Sequence, residues 1–554
     1  MPATVQAILA ARIDRLAPED KRLLQTAAVI GTEVPWPLLH AIAEAPEEAL
    51  HRGLGQLQAA EFLYETSLFP EHAYTFKHAL THEVAYNSLL QERRRALHTR
   101  IVAAIAGLSA DRLTEQVERL AHHALRGEVW DRALAYCRQA GAKAATRSAY
   151  REAVAYFEQA LTALQHLPEH RETLEQAVDL RLDIRNALIA LGEWGAIVDH
   201  MREAEAVATA LDDQRRLGWV CVSMIAPGLH ITGDYERGLA YGQRALGIAT
   251  ASGDFVLEMM ATLNVGINYH IRGNYRLAAH YHRKNAEALV GAWLSERLGE
   301  ASLPSVFCRL WLVRRLAELG DFIEGHTHGV EALRIAETVE QPFYLSGAYL
   351  GIGFLHLRQG DLPQAIAYLE KGLAICQTAD IPLLLQSAAG TLGYTYTLSG
   401  RLAEAQPLLE QAVDVDLSSP LRAVHLGEAY LMAGRLEDAH QLAERALARA
   451  RDTKQQAYEA YALRLYGEIA AQPTPLEVEP ATAAYQQAIT LAEALGMRPL
   501  QAHCHRGLGT LYVTTGQQEQ ARDELSAAIG LYRAMDMTFW LPQAEAALAS
   551  VEGE

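Results

Sequence analysis

The stretch YTFKHALTHEVAYNSLLQERRRALH, from Tyr74 to His98, gathers His78, His82, His98 and the run Arg93, Arg94, Arg95. His78 and His82 stand four apart, so on a helix they share a face, as two zinc-binding imidazoles do. The HExxH pattern of zinc peptidases would need a histidine at position 86, where the chain has Tyr86. A third ligand is not evident nearby, and zinc needs three or four. His280/His282, His326/His328 and His503/His505 are spaced by two, which turns each pair to different faces of a helix. No metal is expected. Arg93, Arg94 and Arg95 suit a solvated helix face or contact with an acidic or phosphate-bearing partner domain. There is no GxxxxGK[ST] phosphate loop, and no Ser-His-Asp or paired-carboxylate pattern stands out. No catalytic residue and no cofactor is assigned to this chain.

Composition narrows the class of partner. The chain has 554 residues, 50% of them hydrophobic, and a formal net charge of -18. The first 110 residues hold 10 Lys+Arg against 12 Asp+Glu, and the remainder 39 against 55. Neither nucleic acid nor an anionic membrane is favoured by that balance. Cys137, Cys221, Cys308, Cys376 and Cys504 are far apart with no CxxC, as expected of reduced, buried thiols in a cytoplasmic protein. No apolar run approaches the roughly 18 residues of a membrane span, and no signal peptide is visible.

What positions these residues is a repeat. A glycine, a polar residue and then an apolar one recur as GEW at Gly192, GDY at Gly233, GNY at Gly273, GDF at Gly320, GDL at Gly360, and GRL at Gly400 and Gly434, with a weaker GQQ at Gly516. Successive spacings are 41, 40, 47, 40, 40, 34 and 82 residues. GEVW at Gly127 is an earlier member. Glycine closes one helix in the left-handed conformation, and an amphipathic run opens the next. In GDLPQAIAYLEKGLAIC, Leu362, Ala365, Ile366, Leu369, Leu373 and Ile375 fall at helical spacing. One hairpin cannot bury its own apolar face, so neighbours must stack into a right-handed α-solenoid of about eleven helix pairs. Pro-rich Ala470–Pro480 lengthens one loop, and LPEHRETLEQ near Pro168 marks another loop or helix start. Asn264, Asn268 and Arg272, four apart, offer a polar stripe for peptide backbone or carboxylate groups on the concave side, or ordinary solvated surface.

Before residue 110 the pattern differs. TVQAILAARIDRL and APEDKRLLQTAAVI read as amphipathic helices, PWPLLHAIA and PEEALHRGLGQLQAAEF as two shorter ones. FLYE and AYTFK alternate like two strands around SLFPEH. This is a winged-helix-like arrangement. Its recognition-position helix, Pro46–Ala60, carries Glu47 and Glu48 against Arg52, a poor set for DNA.

TVQAILAARIDRLAPEDKRLLQTAAVIG and LYETSLFPEHAYTFKHALTHEVAYNSLLQERRRALHTRI resemble the arm that follows the ATPase core in bacterial signal-transduction ATPases of the STAND class. The cyclase-associated subset, with an adenylate/guanylate cyclase or kinase domain, an AAA-like ATPase, a winged-helix arm and long tetratricopeptide repeats, is the nearest in pattern. LPSVFCRLWLVRRLAELGDFIEG and LGYTYTLSGRLAEAQPLLEQAV resemble its repeats. The resemblance implies an all-α chain with an arm at 1–108 and a solenoid at 109–554. It implies a non-catalytic sensor that holds a protein, peptide or small ligand in the solenoid groove and controls a STAND ATPase or cyclase core. His78 matches the place of a winged-helix histidine that senses nucleotide phosphate, if a core is supplied; capping or packing is the other reading. The family's catalytic motifs are absent from this sequence. A C-terminal piece of a cyclase-ATPase and a winged-helix transcription regulator are the alternatives.

Overall fold

The computed structural model describes residues 3–67, 72–108, 110–227, 235–296, 303–339, 341–414, 419–472 and 476–552. They form two compact units, Met1–Arg216 and Leu217–Glu554.

The first unit opens with α1 (Ala3–Asp14), α2 (Pro18–Ile30), β1 (Glu33–Pro35), α3 (Trp36–Ile42), α4 (Glu47–Ala59), β2 (Leu63–Ser67) and β3 (Ala73–Phe76). Pro18 at the start of α2, with Glu19 and Asp20 in its first turn, suits the helix N-terminus. The strands form an antiparallel sheet in the order β1-β3-β2, with Val34 opposite Tyr74 and Leu63 opposite Phe76. Two helices, a strand, two more helices and a β-hairpin follow one another in this order. The hairpin was legible in sequence; β1, three residues long, is too short to show alternation. Residues 68–71 of the expected SLFPEH turn lie outside the described residues. Leu24, Leu39, Leu54 and Leu57 fill the core beneath the sheet at 1% exposure or less.

Then come α5 (Ala79–Asn87), α6 (Gln91–Leu108), α7 (Val117–Arg126), α8 (Trp130–Thr146), α9 (Tyr150–Gln165), α10 (Arg171–Leu191) and α11 (Trp194–Ala210). Small residues let the hairpins close. A Cβ on Gly141 of α8 would lie 2.6 Å from the Phe157 ring of α9. His170 caps α10 reciprocally with Thr173, two residues past Pro168.

α12 (Gln214–Pro227) leads into the second unit, which continues with α13 (Tyr235–Ser252), α14 (Phe255–Ile271), α15 (Tyr275–Ala288), α16 (Pro304–Leu319), α17 (Phe322–Val339), α18 (Pro342–Gln359), α19 (Leu362–Thr378), α20 (Pro382–Leu398) and α21 (Leu402–Asp414). It ends with α22 (Pro420–Met432), α23 (Leu436–Asp452), α24 (Gln456–Ala470), α25 (Val478–Leu495), α26 (Arg498–Thr514), α27 (Gln518–Ala534) and α28 (Leu541–Glu552). Neighbouring helices pack as hairpins. The first helices of successive pairs also touch in series, from α14 through α16, α18, α20, α22 and α24 to α26. This is an α-solenoid of tetratricopeptide-like pairs with an inner row of even-numbered helices. Gly192, Gly273, Gly320, Gly360, Gly400, Gly434 and Gly516 all have positive φ, between 70° and 92°. Gly233 lies outside the described residues. Gly127 departs from the expectation: its φ is -83°, and Glu128 takes the left-handed position at 54°. Asp212, Asp380, Lys454 and Asp536 take positive φ at alternate turns, where no glycine announces them.

The inner row curls until α16 touches α26. Turns at the ends of inner helices then meet later ones. A Cβ on Gly273 would lie 2.9 Å from the Ala457 Cβ, and one on Gly360 2.7 Å from the Trp540 ring. Val313, Phe322, Phe354 and Leu355 join Tyr532, Met535, Met537 and Trp540 in one apolar cluster. We call this contact the latch.

Candidate functional site

Inner helices of an ordinary solenoid need only apolar side chains where they touch. Here they bring charged and aromatic groups inside. Glu318 of α16, 4% exposed, accepts from Arg358 Nε of α18 at 3.2 Å through Oε1 and from the Tyr461 hydroxyl of α24 at 2.5 Å through Oε2. Arg358 lies between the Phe354 and Tyr461 rings, 4.7 and 4.8 Å from their centroids. Burial holds the Tyr461 phenol well above its ordinary pKa.

A second centre lies further along the row. Glu428 of α22 accepts from the Tyr394 hydroxyl at 2.8 Å and from Arg464 of α24, whose other nitrogen meets Glu468. Tyr394 stacks on His425 at 3.9 Å. Burial keeps His425 and His503 neutral, with Arg358 and Arg464 adding to the effect on both. A cavity of about 190 Å³ opens among Tyr394, Glu428, Arg464, Glu468, His503, Arg506 and Trp540. Paired carboxylates and guanidiniums beside aromatic faces can hold a polar ligand in register by charge-assisted hydrogen bonds. Among the described residues, no group of three or more His, Cys, Asp or Glu side chains could hold a metal ion. All five cysteines are buried as free thiols.

The residues singled out by spacing fall elsewhere. His78 is exposed at the N-cap of α5; its carbonyl accepts from the Thr81 N–H at 2.9 Å, while its side chain makes no cap hydrogen bond. Arg93 is exposed, Arg94 sits over the Tyr86 ring at 5.1 Å, and Arg95 pairs with Glu128 at 2.8 Å. Asn264, Asn268 and Arg272 do not form one open stripe. Asn268 is fully buried and donates to the Tyr235 carbonyl at 3.2 Å, Asn264 bonds back to the Met260 carbonyl, and Arg272 pairs with Glu236. Four-residue spacing fixes a shared face but not which face is covered, and here α13 covers part of it.

Sequence spacing gave no hint of a histidine pair in the first unit. His98 Nδ1 and His123 Nδ1 are 2.8 Å apart, and the Tyr86 hydroxyl lies 3.0 Å from His98 Nε2. One ring must donate and the other accept, so the two cannot both be protonated. Burial pushes each down to about 3, helped at His98 by His122, Arg126 and Arg94, and at His123 by His98, His122 and Arg119. In the unfolded chain they titrate near the ordinary value of about 6.5. The unfolded state therefore takes up protons first as pH falls. Stability is complete above pH ~6.5 and is lost toward pH ~3, by up to about 1.4 kcal/mol per pH unit for each histidine. Urea unfolding at pH 7 and pH 5 should show this loss, and His98→Gln should flatten the slope. An unchanged slope in the variant would mean the pair is not the titrating group.

Two family models described as tetratricopeptide repeat match residues 344–418 and 396–463. An uncharacterised protein of Rhizobium meliloti (strain 1021) is 30% identical over 165 residues, which is 30% of this chain and 16% of that protein. The fold is similar to that of a Rap protein solved in complex with competence and sporulation factor, at TM-score 0.50 and 15% identity, over 66% of this chain and 98% of that one. A STAND protein with a tetratricopeptide repeat sensor from Pyrococcus horikoshii aligns at TM-score 0.36 and 12% identity, over 97% of this chain and 66% of that one.

Proposed function

We propose that the chain is a non-catalytic regulatory module, a repeat sensor that closes on a protein, peptide or small ligand and controls a STAND-type ATPase or cyclase core through an arm at 1–108. The observation that carries this reading is the inner row of the second unit. Ion pairs such as Glu318–Arg358 and Glu428–Arg464 are buried there at 4–9% exposure. Buried pairs contribute little to stability compared with apolar packing, so a solenoid selected for stability alone has no need of them. A latch beside them supplies two states, and a ligand that prefers one state shifts the population. The similar Rap protein was solved with a bound factor; a bound factor is the corresponding expectation here.

The core is supplied by a separate chain or by the same polypeptide. The Rhizobium relative, of which the aligned stretch is only 16%, is long enough for the second arrangement. The test is ATP turnover by a STAND core with and without this chain. A change in turnover supports control; tight association with unchanged turnover removes it. With such a core in hand, His78→Ala should alter the nucleotide dependence of association. If that dependence stays as in the parent, His78 is a packing residue and not a phosphate sensor.

A further inference from the structure

The charge around Glu318 does not balance. Arg315 of α16 is wholly enclosed. Its Nη1 donates to the Trp311 carbonyl at 2.9 Å, and its Cζ lies 4.1 Å from the Trp311 ring centroid. Its Nε and Nη2 have no hydrogen-bond partner. Arg314 packs on the Phe354 ring at 4.9 Å and reaches Ser387 Oγ at 3.5 Å. Arg358 is bound to Glu318, and both Glu318 oxygens are already used, by Arg358 and Tyr461. Among the described residues, Glu318 is thus the carboxylate whose charge acts on all three guanidiniums, and only Arg358 is bonded to it. Burial and the neighbouring Arg314 press the Arg315 pKa well below its ordinary value. His270 and His282, whose rings lie 5.4 and 6.4 Å from Trp311, are kept neutral by burial and add no further positive charge.

The geometry of the unpaired edge is specific. Nε–H and Nη2–H lie side by side on one edge of a guanidinium and point the same way. That edge matches the two oxygens of a carboxylate or phosphate. We propose that Arg315, with Arg314 and Arg358, is the seat of an oxyanion, the carboxylate or phosphate group of the ligand that the repeats capture. This rests on the sensor reading above and names its ligand class. Arg315 is enclosed, so the group enters when the latch opens and holds it shut once paired. The selectivity is local: the chain as a whole carries a net charge of -18 and repels anions at long range.

The experiment is thermal unfolding of the full chain in inorganic phosphate, in citrate, and in chloride at matched ionic strength. Phosphate or citrate should raise the transition by about 3 °C or more over chloride. Response to citrate alone assigns a carboxylate, and response to phosphate alone a phosphate. Arg315→Met should remove that increment and raise the transition in chloride, since it deletes an unpaired buried cation. Arg315→Lys, which keeps charge but loses the fork, should cut the increment even if the Met variant folds poorly. An equal increment in wild type and both variants would mean a general salt effect and would overturn the site. If no anion acts while turnover of the STAND core still responds to this chain, only the anion is wrong. If both fail, the sensor reading falls with it.

Discussion

Glu318→Ala is expected to destabilise the second unit by about 3–5 kcal/mol, because removing one partner of a buried ion pair leaves the other uncompensated. Among the described residues, Glu318 is the carboxylate that acts on Arg314, Arg315 and Arg358, and it also receives the Tyr461 hydroxyl. Its loss strands a donor on α18 and another on α24 at once. Glu318→Gln keeps the shape and one acceptor but not the charge, so an intermediate loss is expected. The double variant Glu318→Leu/Arg358→Met should regain only the part of the loss that Arg358 carries, since Arg314, Arg315 and the Tyr461 hydroxyl still lack their carboxylate. Denaturant unfolding of the four proteins reads this directly. A Glu318→Ala effect below about 1 kcal/mol would show that water or a rearranged chain reaches these arginines.

Trp540→Ala is the second large effect, about 3–5 kcal/mol for an aromatic side chain removed from a packed core. Trp540 is 6% exposed, with its ring 4.5 Å from His503 and 5.2 Å from Phe539. It fills the space beside Gly360, where α18 ends. The variant should also loosen the latch. Amide hydrogens of α26–α28 should exchange faster than those of α13–α15, which contribute no residue to the cluster. Uniform acceleration along the whole unit would mean that Trp540 supports global stability only.

Much of this architecture was legible in the residues. The glycine turns at Gly273, Gly320 and Gly360 set the helix pairs because few other residues take a positive φ cheaply. The β2–β3 hairpin followed from alternation. The interior charge was not legible. Arg314 and Arg315 in LWLVRRLAEL look like surface residues of an amphipathic helix. The signal was the apolar character on every side of them, from Leu312 and Val313 to Leu316 and Ala317, which marks a helix covered all round. Nor does spacing disclose His98 and His123, which belong to different helices and meet only through packing. Asn268 shows the remaining gap, since a helix face can be read from period alone but its covering partner cannot.

The contact between α16 and α26 has a consequence for folding. In an open array each repeat touches only its neighbours, so the array frays from its ends and stability adds repeat by repeat. Here residues 304–319 meet residues 498–514, which joins distant repeats into a ring. The terminal pairs are then tied to the middle. Unit Leu217–Glu554 should unfold in one sharp transition, and it should fold slowly for a helical protein, because the ring closes only after the long chain between its ends has been ordered.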